Sequence, residues 1–244
     1  MFNAWRALWN ALPGTCQVCG GWPSRPVCED CVERFPGEPL RCTGCAAPLR
    51  AGVALCGACL ARPVQAPLQA CAAAVDYAYP WDGLIARFKF RGEPGWATPF
   101  ARRMLAAPQA AELLSQCSLM VPVPLTTTRL AERGYNQAWE LVKALRRLGP
   151  RKGMAMPATT QPDALVRLIE TPDQHSLSRE QRLHNLQGVF AAHPLRSASI
   201  ASAHVLLVDD VSTTGATLHT AAQALRQAGA ARVSALVFAR TPPR

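Results

Sequence analysis

Residues 205–218 read Val205-Leu206-Leu207-Val208-Asp209-Asp210-Val211-Ser212-Thr213-Thr214-Gly215-Ala216-Thr217-Leu218. The four leading apolar residues have the composition of a strand buried on both faces. Two carboxylates follow at its C-terminal end, then a short Ser/Thr/Gly turn. From about Thr214, Leu218, Ala221, Ala222 and Leu225 recur at helical spacing up to Gly229. Strand, turn and helix in this order suit an open parallel α/β sheet, in which ligands bind at the strand-to-helix junction.

The turn offers backbone N–H groups and hydroxyls at a helix N-terminus, a cradle for a phosphate. Gly215 permits close approach of the backbone. Carboxylates repel a phosphate, but they accept from hydroxyl groups and hold a phosphate-bound Mg²⁺. A ligand with a phosphate at one end and a diol nearby, such as a ribose 5-phosphate, fits this order. The bland alternative is a strand with two solvated acids and an ordinary capped helix. Acids, turn and helix in the one order that makes a site favour the functional reading.

This stretch resembles the phosphoribosyl-pyrophosphate (PRPP) motif of type I phosphoribosyltransferases. The resemblance implies a PRPP-binding set of Asp209, Asp210, Val211, Ser212, Thr213, Thr214, Gly215, Ala216 and Thr217. Asp209 and Asp210 would be its catalytic pair, holding the ribose hydroxyls, with Thr213 to Thr217 around the 5-phosphate. Members that read purines carry an acid where this chain has Thr213, which argues against purine salvage.

The chain has 244 residues and a net charge of +10. Residues 1–60 hold five Arg and four acids, so the basic surplus belongs to the later part. That surplus suits polyanions, from a small polyphosphate to a nucleic acid. No apolar run reaches the ~20 residues of a membrane span. Met1–Leu12 has no basic n-region and no cleavage site, so a cytoplasmic protein is expected. Phe2, Trp5, Leu8, Trp9 and Leu12 have helical spacing and suggest a short amphipathic helix.

Eight of the ten cysteines form Cys-x-x-Cys pairs: Cys16/Cys19, Cys28/Cys31, Cys42/Cys45 and Cys56/Cys59. Two thiolates on one knuckle fill half a tetrahedral site, so four pairs suit two structural Zn²⁺. Few bulky apolar residues lie between them, and such a segment needs a staple to fold. Neighbouring pairs are expected to share a metal, although spacing alone also allows an interleaved arrangement. Cys71 and Cys117 lack partners at ligand spacing and read as buried thiols. Pro63 and Pro67 mark a linker, which divides the chain into a zinc-ribbon domain (1–62) and a second domain (63–244).

In the second domain, Cys71–Tyr79 alternates as a strand, Trp81–Phe90 has helical spacing, and a helix is expected from about Gly95 to Leu114, interruptible at Pro108. Ser118–Pro124 reads as a buried strand leaving its sheet. Arg129, Arg133 and Asn136 are expected in a loop and at a helix start, where they could hold a diphosphate or serve as solvated charges and a cap. Gln174, Arg179 and Arg182 lie in a polar stretch, 171–185, that suits a mobile lid over a phosphate ligand. Gln187–Ala192 and Val233–Arg240 read as strands flanking the central one.

Several pieces together resemble one family, ComF/GntX. They are the eight-cysteine segment, Phe88-Lys89-Phe90, Val121-Pro-Val-Pro124, Arg133-Gly-Tyr-Asn-Gln137, Gln174 with Arg182 and Asn185, and the Asp209–Thr217 motif. The resemblance implies an α/β fold: a type I phosphoribosyltransferase-like parallel sheet flanked by helices, with an N-terminal double zinc ribbon. It also implies that Arg129–Gln137 is the pyrophosphate-loop region and that 171–185 is the mobile loop. The implied function is PRPP binding with Mg²⁺ and phosphoribosyl transfer to an unspecified acceptor, in the setting of competence and DNA uptake or use. The partners would be PRPP and, as an alternative, single-stranded DNA and other DNA-uptake proteins. A PRPP sensor without catalysis is a third reading of the same fold.

Overall fold

The computed structural model describes residues 14–37, 40–63, 65–168 and 188–242. The amphipathic segment expected over Met1–Leu12 and the lid expected over 171–185, with Gln174, Arg179 and Arg182, lie outside these residues. By compactness the chain divides into two units, Met1–Gly37 and Glu38–Arg244. This division falls between the second and third cysteine pairs, whereas the sequence reading draws its boundary after residue 62.

In the first unit, an antiparallel bridge between Gly14 and Ser24 closes a knuckle around Cys16 and Cys19. The Cys16 N–H donates to the Gly21 carbonyl at 2.9 Å, and the Gly20 N–H to the Cys16 carbonyl at 2.9 Å. Helix α1 (Glu29–Arg34) begins at Cys28, whose sulfur accepts from the Cys31 N–H. Glu29 and Asp30 in its first turn and Arg34 in its last complement the helix dipole.

The second unit opens on an equivalent knuckle around Cys42 and Cys45, closed by a bridge between Arg41 and Pro48. A single helical turn, α2 (Gly57–Leu60), carries Cys59. The strands that follow are β1 (Ala70–Asp76), β2 (Leu119–Pro122), β3 (Thr159–Thr160), β4 (Leu165–Arg167), β5 (Phe190–Ala192), β6 (His204–Ser212) and β7 (Arg232–Arg240). Between them lie helices α3 (Trp81–Phe90), α4 (Ala97–Met104), α5 (Ala110–Gln116), α6 (Thr127–Arg133), α7 (Gln137–Leu148), α8 (Ser197–Ile200) and α9 (Ala216–Gln227).

A five-stranded sheet has the order β1-β7-β6-β2-β3, and every pairing in it is parallel. Its central strands are apolar on both faces, as a covered parallel sheet requires. On one face Val205, Leu207, Val233 and Val237 pack with Leu218, Ala221 and Leu225 of α9. On the other, α4 and α7 lie against β6 and β7. There the Phe100 ring stacks on Phe238 at 4.0 Å, while Trp81 and Phe88 meet that pair edge-on. Aromatic contacts of this kind seat α3 by its Trp81–Phe88 face.

The interruption allowed at Pro108 is present: α4 and α5 are two helices broken around Pro108, which cannot donate to the helix ladder. One expectation changes. Gln187–Ala192 does not flank the central strand: β5 pairs antiparallel with β4 in a separate two-stranded sheet, and the flanks of β6 are β2 and β7. Only Phe190 of β5 is buried, and His193-Pro194 follows at once, so β5 is too short and too exposed for a position covered on both faces. β2, buried throughout, fills it.

Candidate functional site

The central strand carries its acids to the edge of the sheet. β2 pairs with β6 only as far as Pro122–Val208, so Asp209 is the first residue beyond that neighbour. On the other side β7 accompanies β6 to its end, with Ser212 opposite Arg240. Asp209 is partly exposed and Asp210 is buried. The Asp210 N–H donates to Asp209 Oδ1 at 2.8 Å, and Lys89 Nζ lies 3.0 Å from Asp210 Oδ1. Burial and the neighbouring Asp210 carboxylate push Asp209 up to about 7, against the pull of Lys89, the Asp210 N–H and Arg167. At neutral pH the Asp209 carboxyl is thus poised between donor and acceptor.

The turn follows directly. Thr213 is exposed, and Thr214 Oγ1 accepts from the Ala216 N–H at 3.3 Å. Gly215 caps α9 with φ +82°, a left-handed conformation that side chains resist. α9 runs for 12 residues from this cap, so its N-terminal dipole faces the turn. The Ser212 carbonyl accepts from the Thr241 N–H at 3.0 Å and from Arg240 Nη1 at 3.1 Å. The stretch 209–217 therefore joins paired acids, hydroxyls and a helix N-terminus across one strand end, turn and helix start.

Arg129 and Arg133 stand within α6 rather than in a loop, because Thr126 caps that helix by accepting from the Arg129 N–H. Arg133 Nη1 donates to Gln137 Oε1 at 3.0 Å, and its guanidinium lies 5.1 Å from the Phe90 ring. Asn136 takes the capping role: Oδ1 accepts from the Ala138 and Trp139 N–H groups, and Nδ2 donates to the Val123 carbonyl. It thereby ties α7 to the end of β2. Next to it the Tyr135 hydroxyl donates to the Phe88 carbonyl, which holds the end of α3 where Lys89 begins.

Two residues are not identified from sequence. Lys89 carries a sequence signal, a lysine framed by Phe88 and Phe90 at the end of an apolar helix face. Arg240 closes β7 after the apolar run Ala235–Ala239 and is buried. A base in such a position predicts a buried polar contact but not its partner.

The eight paired cysteines gather into two groups, Cys16, Cys19, Cys28, Cys31 and Cys42, Cys45, Cys56, Cys59. Neighbouring pairs thus converge as the spacing favours, and the interleaved arrangement is excluded. Within each group the sulfurs lie within 4.8 Å of one another. Cys16–Cys31, Cys19–Cys28 and Cys45–Cys56 are 3.9, 3.7 and 3.7 Å apart. Sulfurs bound at about 2.3 Å around a tetrahedral Zn²⁺ would be about 3.8 Å apart, so both groups fit that ion. In each, one thiol is already acidic. Burial opposes ionisation of Cys16 and Cys42, but backbone N–H donors outweigh it and bring them to about 6 and about 7. Those donors include the Cys28 N–H in the first group and the Cys56 N–H in the second. Cys71 and Cys117 are buried, and burial pushes both up to about 12.

A family model described as phosphoribosyl transferase domain matches residues 166–244. The chain is 30% identical over 239 residues to "DNA utilization protein YhgH" of Escherichia coli, covering 94% of this chain and 98% of that protein. It is 30% identical to "Competence protein F" of Haemophilus influenzae, covering 88% and 90%. It is also 30% identical to "Competence protein ComFC" of Bacillus subtilis, covering 64% and 58%. Sheet, paired cysteine clusters and full-length similarity agree, and the chain belongs to the ComF family of phosphoribosyltransferase-like proteins.

Proposed function

We propose that this protein binds PRPP and transfers its phosphoribosyl group to an acceptor in the context of DNA uptake or utilisation. The observation that carries this reading is the Asp209–Asp210 pair at the free edge of β6, followed at once by the Gly215-capped helix. Asp209 and Asp210 accept from the two ribose hydroxyls, and the Thr213–Thr217 turn and the α9 N-terminus hold the 5-phosphate. Lys89 pairs with the Asp210 carboxylate and holds it in place beside the turn. The transfer breaks the bond from the anomeric carbon to pyrophosphate through an oxocarbenium-like state, so positioning and electrostatics replace a protein nucleophile. Mg²⁺, bound with PRPP, would neutralise the leaving pyrophosphate. Arg129 or Arg133 would sit near the leaving pyrophosphate. The two cysteine clusters act as structural zinc sites, since four sulfurs leave no open position for chemistry.

Calorimetric titration of PRPP into zinc-loaded protein, with and without Mg²⁺, tests this reading. Saturable, Mg²⁺-dependent binding is expected, and Asp209→Asn with Asp210→Asn should abolish it while leaving the fold intact. Unchanged affinity in the double variant sinks the assignment. Single-stranded DNA binding is the second reading, favoured by the basic surplus outside residues 1–60. Strand binding that falls steeply with salt and survives the double substitution would support it instead.

A further inference from the structure

The phosphate turn and the second cysteine cluster share one side chain. Arg240, at the end of β7, is buried with only 7% of its surface exposed. Its Nε donates to the Cys45 carbonyl at 3.1 Å. Its Nη1 donates to the Ser212 carbonyl at 3.1 Å and to the Thr241 carbonyl at 3.1 Å. Cys45 is the second thiol of its knuckle, and Ser212 is the residue before the Thr213–Thr217 turn. One planar group therefore spans from the cysteine cluster to the start of the turn.

We propose that Arg240 is a positioning residue that couples metal loading of the Cys42/Cys45/Cys56/Cys59 cluster to the geometry of the phosphate turn. The guanidinium is rigid and its donors are fixed in direction, so its acceptors must hold their relative places. A buried donor that loses its acceptor is costly, so the network favours one arrangement of all three carbonyls. Metal on the cluster fixes the knuckle and with it the Cys45 carbonyl. Arg240 passes that constraint to the Ser212 carbonyl, and the in-register pairing of Ser212 with Arg240 leaves little slack. The knuckle is also held from other sides. The Cys71 N–H donates to the Thr43 carbonyl at 2.9 Å, and Arg41 pairs with Asp76 at 2.9 Å and donates to the Ala46 carbonyl at 3.2 Å. The contacts to Cys71 and Asp76 fasten the knuckle to β1. Of these anchors, Arg240 is the one that also reaches the turn.

Coupling between two sites is reciprocal. Metal loss from this cluster lowers affinity at the turn, and a ligand at the turn slows metal loss from this cluster. The Cys16/Cys19/Cys28/Cys31 cluster serves as the internal control. The affinity arm rests on the proposed PRPP site; the metal arm does not.

The experiment is residue-resolved alkylation of zinc-loaded full-length protein under a weak chelator, read by peptide mass analysis. Wild type is compared with Arg240→Lys, which keeps the charge but cannot span three carbonyls, and each is run with and without PRPP and Mg²⁺. In Arg240→Lys, Cys45 and Cys56 should react about tenfold faster and Cys19 and Cys28 at the wild-type rate. In wild type, PRPP should slow Cys45 and Cys56 selectively, and calorimetry should show about tenfold weaker PRPP binding by the variant. Wild-type alkylation rates at Cys45 and Cys56 in the variant overturn the coupling. So does PRPP binding to wild type without selective protection of that cluster, a result that needs no variant to fold. If wild type binds no PRPP, the proposed function fails, and the alkylation rates of Arg240→Lys alone still decide whether Arg240 braces the cluster.

Discussion

The two cysteine clusters have the same ligands at the same spacing within each pair, and their surroundings differ. In residues 14–37 the buried apolar set is Cys16, Val27 and Cys31, two of them ligands. The second cluster adds Ala46 and Ala47, with Leu49 and Leu55 partly buried against it. One position shows the contrast. The residue after the second knuckle cysteine is left-handed in both, Gly20 at φ +77° and Ala46 at φ +58°. Glycine takes that conformation freely, whereas alanine pays about 1–2 kcal/mol. Ala46 is fully buried and belongs to the main core beside Leu68 and Cys71. The first cluster therefore has little besides its cysteines to order it, and the other is also a wall of the sheet's core.

The largest test of this contrast removes one ligand from each. Cys42→Ser should cost the larger unit more than about 3 kcal/mol, seen as a lower and broader melt by circular dichroism. Cys16→Ser should leave the melt of that unit within about 0.5 kcal/mol of wild type. Equal losses would erase the distinction between the clusters.

Ion pairs sharpen it next. Arg41–Asp76 has side chains 7% and 17% exposed, against 64% and 76% for Arg25–Glu29 in the first unit. Arg41→Ala removes the guanidinium from a largely buried carboxylate and should cost about 3 kcal/mol by urea denaturation. Arg25→Ala should give no measurable loss.

A third test separates the turn from both clusters. Asp209 titrates near 7 in the fold and near 4 when unfolded, so the fold favours its protonated form. That contribution is full below about pH 4 and is lost as pH rises through 7. Asp209→Asn should therefore stabilise the protein by about 1–2 kcal/mol at pH 8 and by almost nothing at pH 4, after allowance for its partial exposure and for the opposing Lys89 and Arg167. The same variant should lose PRPP binding, with zinc content unchanged. The smallest effect belongs to the left-handed residues. Gly20→Ala should cost about 1 kcal/mol of first-unit stability. In Ala46→Gly the relief of strain offsets a lost buried methyl worth about 0.8 kcal/mol, so its melt should barely move.

Much of this was legible in the sequence because local chemistry determined it. The run Val205–Val208, the two acids and the glycine turn specify strand, edge and cap within fourteen residues. The paired cysteines carry their geometry in their spacing. What was hidden depends on distant partners. β5 looked like a flank because a short apolar run does not reveal its neighbour. Arg129 and Arg133 looked like loop residues because the cap at Thr126 is one threonine among three. Asn136 was seen as a cap or a ligand, and the Val123 carbonyl that occupies its amide comes from another strand. Lys89 sits among other bases at a helix end and Arg240 ends a strand, and their acceptors Asp210 and Cys45 lie far away in the chain.

The strand order has a consequence for how the molecule is made. β1 has β7 as its neighbour in the sheet, and nearly the whole sequence of the larger unit separates them. On the ribosome, the second knuckle, β1 and α3 emerge long before residues 232–240 exist. Through that interval β1 is an apolar strand with no partner, the kind of edge that invites pairing with another chain. When β7 arrives it enters between β1 and β6, a contact of long sequence separation and correspondingly slow closure. Its arrival joins the sheet and brings Arg240 to the Cys45 and Ser212 carbonyls in the same event. A nascent chain stalled before residue 232 would hold its thiols and acids yet have no link between them.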